Sequence, residues 1–183
     1  MFSLAAAAEP FIYCLIGPQW KEAAIFLPLI CLSLSLYPLH AINLNMLQVL
    51  GRSDIFLYIE MVKKVLAIIP ILIGIFINIY WMLIASIILG VINFFLNSYY
   101  TGRKLNYTSW NQIKDFTPSL LIGLLIALSV YFFKYLPINQ WSILTIQIIV
   151  GFIVFYICCE KTQIEEYVEF KKIVISFIKR KEK

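Results

Sequence analysis

The sequence is short of charge. Asp, Glu, Lys and Arg make up 14% of its 183 residues, against about 25% in soluble domains, which excludes an ordinary soluble globular protein. Histidine occurs once, at His40, and the ten acidic residues lie mostly on connectors and the tail. Paired intramembrane carboxylates, a His/Cys/Asp cluster, a Ser–His dyad and a G-x-x-x-x-G-K-[ST] loop are all missing. An enzyme is therefore not expected, nor are a cofactor, a bound metal or a nucleic-acid partner. The four cysteines have no C-x-x-C spacing; Cys14, Cys31, Cys158 and Cys159 read as small apolar packing residues. Strict alternation of apolar and polar residues is also lacking, which rules out a β-barrel.

What is there is apolar sequence in long runs, with 62% hydrophobic residues and a mean hydropathy of +0.87. Five stretches meet the requirement of roughly 20 mostly apolar residues for a bilayer crossing: Glu22–Val49, Ile55–Asn78, Trp81–Tyr100, Pro118–Tyr135 and Trp141–Cys159. A sixth, Phe2–Ile16, is short and carries Glu9-Pro10 in its middle. The expected fold is all-α: a polytopic transmembrane helix bundle of five full spans and one partial N-terminal span. Residues 1–160 form the bundle and residues 161–183 a cytoplasmic basic tail. The opening MFSLAAAAEP has no Lys or Arg before Lys21, so it lacks the basic region of a signal peptide. Met1 reads instead as lying inside a longer helix, with an N-terminal part of the protein missing.

Charge sets the expected orientation. If the spans alternate, the connectors Gly17–Lys21, Asn78–Trp81 and Lys134–Gln140 carry two basic residues, Lys21 and Lys134. The connectors Gly51–Lys64 and Thr101–Phe116, with the tail from Glu160, carry the other thirteen. The positive-inside rule places this second set in the cytoplasm. Trp20, Trp81 and Trp141 fall at the opposite ends of spans, as interfacial anchors do, and Trp110 falls in a cytoplasmic connector. Asn106-Tyr107-Thr108 matches a glycosylation sequon on the side where it would go unused. Thr101–Phe116 reads as the one long polar loop. In the tail, Tyr167, Phe170, Ile173, Val174, Phe177 and Ile178 form an apolar stripe edged by Lys171, Lys172, Lys179 and Arg180. That pattern suits a helix on the cytoplasmic leaflet, in contact with membrane lipid.

Polar side chains inside spans mark helix contacts or cavities. In Glu22–Val49, Ser33, Tyr37, His40 and Gln48 fall within about 80 degrees on a helical wheel, flanked by Asn43 and Asn45. Pro38 should bend this helix by freeing the carbonyl near Leu34. The face reads either as cavity-lining or as interhelical hydrogen bonding. His40, with no acid within a turn or two, reads as a neutral structural residue before a proton carrier. Ser86, Gly90, Asn93 and Asn97 form a small-residue stripe suited to close packing, with a polar lumen second. Glu60 and Lys64 have the spacing and order of a helical ion pair, and Pro70 predicts a second kink. Glu9 is the intramembrane carboxylate to test, lining a cavity or pairing with a missing helix.

Between the second and third segments lies the hairpin LQVLGRSDIFLYIEMVKK. Gly51 can end one helix, Ser53 or Asp54 can cap the next, and Arg52, Lys63 and Lys64 hold the turn at the membrane face.

Two runs carry a family resemblance. AEPFIYCLIGPQW, Ala8–Trp20, fits an AEP-hydrophobic-LxGxxW pattern, and Gln48–Lys64 fits QxxGRxDxxxxxExxKK. Together they resemble Wzx-type polysaccharide and O-antigen flippases of the multidrug/oligosaccharidyl-lipid/polysaccharide exporter superfamily, over nearly the whole chain and as the C-terminal half only. The resemblance implies a MATE-like half-bundle in a bacterial inner membrane with a cytoplasmic C-terminus. It also implies carriage of undecaprenyl-diphosphate-linked oligosaccharide to the outer leaflet for polysaccharide or lipopolysaccharide synthesis. A missing N-terminal half or partner chain would close the cavity. The alternatives are a drug/cation antiporter fragment of the same superfamily, which would need Glu9, and a non-transporting scaffold of polysaccharide assembly.

Overall fold

The computed structural model describes residues 1–105, 107–162 and 167–173. Among them the regular structure is helical, with no strand. The helices are α1 (Phe2–Ala6), α2 (Ala8–Leu15), a 3-10 helix (Pro18–Ile25), α3 (Phe26–Leu34), α4 (Tyr37–Val49), α5 (Ser53–Leu66), α6 (Ile68–Phe76), α7 (Ile79–Leu105), α8 (Ser109–Phe132) and α9 (Gln140–Thr162), with a 3-10 turn at Phe133–Tyr135. Among the described residues, four helical stretches are long and apolar enough to cross a membrane: Pro18–Val49, Ile79–Gly102, Ser109–Tyr135 and Gln140–Thr162. Their outward side chains are apolar and uncovered: Phe152 is 71% exposed and Leu128 56%. An apolar surface of that extent belongs in lipid or against a partner.

Proline breaks the helices where expected. At Pro38 the chain is interrupted between Leu34 and Tyr37, and the Ser35 hydroxyl donates to the Leu32 carbonyl at 2.7 Å. The segment Ile55–Asn78 is built from α5 and α6, which meet at Ala67 just before Pro70. Asn78 then starts α7, its Oδ1 accepting from the Trp81 amide at 3.0 Å.

The expected loop Thr101–Phe116 is a correction. Helix α7 runs on to Leu105 and α8 begins at Ser109, with the Thr108 hydroxyl accepting from the Asn111 amide. Polarity there marks two helix ends, not irregular chain. The turn is tight because Gly102 lets the Tyr107 carbonyl approach to 2.6 Å from where a Cβ would sit. Trp110 accordingly stands on the first turn of α8, exposed. The sequon residue Asn106 lies outside the described residues.

Packing sorts the helices into two groups. α7 is the spine of one, with α3, α4, α5 and α6 against it; α1 and α2 pack with α8 and α9 in the other, and α1 also touches α3. Ala7, Ile122, Ile126 and Val130 form the core of the second group. At one end of the bundle, Glu9 Oε2 meets Lys134 Nζ at 2.9 Å and Glu9 Oε1 meets Lys21 Nζ at 3.7 Å. At the other, the ends of α4, α7 and the start of α8 are hydrogen-bonded together. Lys21 and Lys134, the two basic residues of the sparsely charged connectors, thus meet on one carboxylate. Residues 167–173 are helical and tied back to α9: Tyr167 Oη donates to Glu160 at 2.7 Å and Lys171 Nζ at 2.8 Å. Of the tail stripe, Val174, Phe177, Ile178, Lys179 and Arg180 lie outside the described residues.

Candidate functional site: a polar groove between α4, α5 and α7

The hairpin between α4 and α5 is set by Gly51. Its φ of +67° is in the left-handed region, which glycine adopts without the Cβ penalty. The Arg52 amide donates to the Leu47 carbonyl at 2.9 Å and the Gly51 amide to the Gln48 carbonyl at 2.9 Å, the paired bonds of a Schellman terminus. Open space surrounds the position of a Gly51 Cβ, so a substitution meets backbone strain and no clash. Gly51→Ala is expected to cost about 1–2 kcal/mol, read as a lowered unfolding midpoint in detergent, with Gly51→Asn recovering part of it.

The side-chain cap expected from Ser53 or Asp54 is not made; α5 starts without one. Asp54 is turned to Arg52, whose Nε and Nη2 reach its two oxygens at 3.0 and 2.9 Å. That fork holds the Asp54 carboxyl down at about 2. A depressed carboxylate keeps its pair at every pH above its ordinary value, losing it only as pH falls toward the folded value. The turn therefore stays clasped through the physiological range.

From this hairpin a groove opens along α4, α5 and α7. Its first arm, about 460 Å³, is lined by Tyr37, His40, Asn45 and Gln48 of α4, Glu60 and Lys63 of α5 and Asn93 of α7, among others. A second arm, about 400 Å³, shares His40 and Asn93 and continues past Ser33, Ser86 and Gly90 to Pro70. Gly90 sits where α3 crosses α7, a Cβ there being 3.7 Å from the Ser33 carbonyl. The serine hydroxyls are spent on their own helices, Ser33 to Ile30 and Ser86 to Met82, each at 2.9 Å. Asn93 Oδ1 is buried with no hydrogen-bond partner among the described residues.

Of the expected cavity residues Glu9, Ser33, Tyr37, His40, Asn43 and Gln48, four line this groove: Ser33, Tyr37, His40 and Gln48. Asn43 does not, which is a correction. It is 3% exposed and locked to Gln112 of α8, donating from Nδ2 to Oε1 at 2.8 Å and accepting from Nε2 at 3.1 Å. Thr101 Oγ1 meets the Asn43 carbonyl at 3.1 Å. Asn43 is therefore a joint between three helices, turned from the groove by its partners. Glu9 lines a separate recess of about 640 Å³ with Lys21 and Lys134.

The expected Glu60–Lys64 clasp is likewise corrected. Glu60 pairs with Lys63, one residue earlier. Lys63 is 16% exposed and lines the groove with Glu60, whereas Lys64 faces outward. Both spacings are geometrically open on a helix, and the shared recess decides between them. Lys63 is the polar groove residue that the sequence reading leaves out of the cavity, while Asn45 flanks its polar face and Ser86, Gly90 and Asn93 share a stripe read first as packing.

No protein-family model, no curated protein and no solved structure matches the chain.

Proposed function

We propose that this chain is the C-terminal half-bundle of a flippase that moves lipid-linked oligosaccharide across a bacterial inner membrane, with five crossings, a partial first span and a cytoplasmic C-terminus. One observation carries the reading. Gln48, Glu60 and Lys63, which belong to the run that resembles the flippase hairpin, converge with Tyr37, His40 and Asn93 on one polar groove in a bundle whose outward side chains are apolar. Polar groups in a membrane mark the path of a polar cargo. In this reading the groove is one wall of the transport cavity and a second half supplies the other.

The test is complementation of a flippase-deficient strain by this chain, alone and with the N-terminal half of a Wzx-type flippase. Surface polysaccharide restored only by the pair is the expected result. Restoration by the chain alone would overturn the need for a second half, and restoration by neither would overturn the flippase reading.

A further inference from the structure

His40 is the chain's single histidine, and its two ring nitrogens have different surroundings. Nδ1 lies 3.2 Å from Nδ2 of Asn97 on α7. Nε2 has no hydrogen-bond partner among the described residues, and the ring lines both arms of the groove. Asn97 is 0% exposed, and its backbone carbonyl accepts from the Thr101 hydroxyl at 3.0 Å. A carboxamide NH2 only donates, so the nitrogen facing it must accept, and the proton of the neutral ring must then sit on Nε2.

We propose that Asn97 is a positioning residue that fixes His40 as the Nε2–H tautomer, making the ring a hydrogen-bond donor that the groove presents to oxygen atoms of its ligand. The groups lining the groove beside the ring are Tyr37 from its own helix, Glu60 and Lys63 from α5 and Asn93 from α7. Glu60 and Lys63 neutralise each other, leaving amides, a phenol and the imidazole N–H. That set suits a neutral, hydroxyl-rich group, the saccharide part of a lipid-linked cargo, more than its charged diphosphate. The identity of the ligand rests on the flippase reading; the tautomer does not. Turning the Asn97 amide over would bring Oδ1, which has no partner among the described residues, against Nδ1 and demand the opposite tautomer, so the two arrangements are experimentally distinct.

The experiment is nitrogen NMR of the full chain labelled with 15N-histidine, in lipid nanodiscs, at about two pH units above the ordinary imidazole value of roughly 6.5. The expected spectrum has a proton-bearing Nε2 and a proton-free Nδ1. Asn97→Leu should lower the ratio of the two tautomers about tenfold, the worth of one hydrogen bond. A proton on Nδ1 in the native chain, or an unchanged ratio in Asn97→Leu, overturns the proposal. The native spectrum decides even if the variant folds poorly. In the complementation assay, His40→Gln keeps an N–H near the place of Nε2 and should retain transport within about threefold. His40→Phe should lose about tenfold or more. Equal loss in both overturns the donor role. If the native chain with its second half does not transport at all, the flippase reading fails while the nitrogen spectrum still decides the tautomer.

Discussion

Replacing Asn43 with leucine is expected to destabilise the bundle by about 2 kcal/mol, because it strands the Gln112 carboxamide in a dry contact. Asn43 and Gln112 exchange two hydrogen bonds across helices α4 and α8, and Gln112 is only 6% exposed. Gln112→Met should cost a similar amount for the same reason, leaving the Asn43 amide with its single bond to the Leu39 carbonyl at 3.0 Å. Asn43→Leu combined with Gln112→Met removes both partners and substitutes side chains of similar shape, so its cost should fall to about 1 kcal/mol or less. Interhelical hydrogen bonds in membranes contribute about 0.6–2 kcal/mol, and most of the single-variant penalty is instead an unpaired buried group. A double-mutant cycle by denaturant titration in mixed micelles reads the coupling. Strict additivity of the two variants would mean the amide pair contributes nothing specific.

That pair also joins the two helix groups, since α4 belongs to the α7 group and α8 to the other. The same end holds Thr101, whose hydroxyl lies 3.1 Å from the Asn43 carbonyl and 3.0 Å from the Asn97 carbonyl. Asn97 in turn meets His40 in the groove. Loosening the Asn43–Gln112 joint should therefore be felt in the groove through α7, as a change in the His40 nitrogen spectrum.

Much of the fold was legible because it depends on local pattern. Runs of apolar residues located the four stretches long enough to cross a membrane, though Ile55–Asn78 is not one of them; Pro38 and Pro70 marked the breaks, and the wheel gathered Ser33, Tyr37, His40 and Gln48, all of which line the groove. What escaped was decided by partners far away in sequence. The wheel put Asn43 beside the polar face but could not foresee Gln112, 69 residues on, which draws it to another contact. The spacing of Glu60 permitted Lys63 and Lys64 equally, and only the recess formed with α4 and α7 selects the first. Thr101–Phe116 read as a loop because its residues are polar, yet polarity records exposure to water and not the absence of helix. Gly102 permits the close turn there, which composition does not reveal.

Lys63→Met is expected to cost about 2 kcal/mol, while Lys64→Met should stay within about 0.5 kcal/mol. The first leaves Glu60 unpaired in a recess where its side chain is 30% exposed. That residual exposure keeps the penalty below the 3–5 kcal/mol typical of breaking a fully buried pair. The second removes an exposed, outward-facing charge. Adding Glu60→Gln to Lys63→Met should recover most of the loss, since no charge then remains unpaired. The measurement is the unfolding midpoint of the four chains in one detergent. If Lys64→Met were the costly variant, the clasp would follow the i to i+4 spacing and the groove would lose its internal neutralisation. Under the proposed flippase function, complementation by the Glu60→Gln, Lys63→Met chain together with its second half then separates two roles for the pair. The groove is neutral in both the native and the doubly substituted chain, so a cargo recognised there through its hydroxyls should still be carried. A cargo gripped by the Lys63 charge should not.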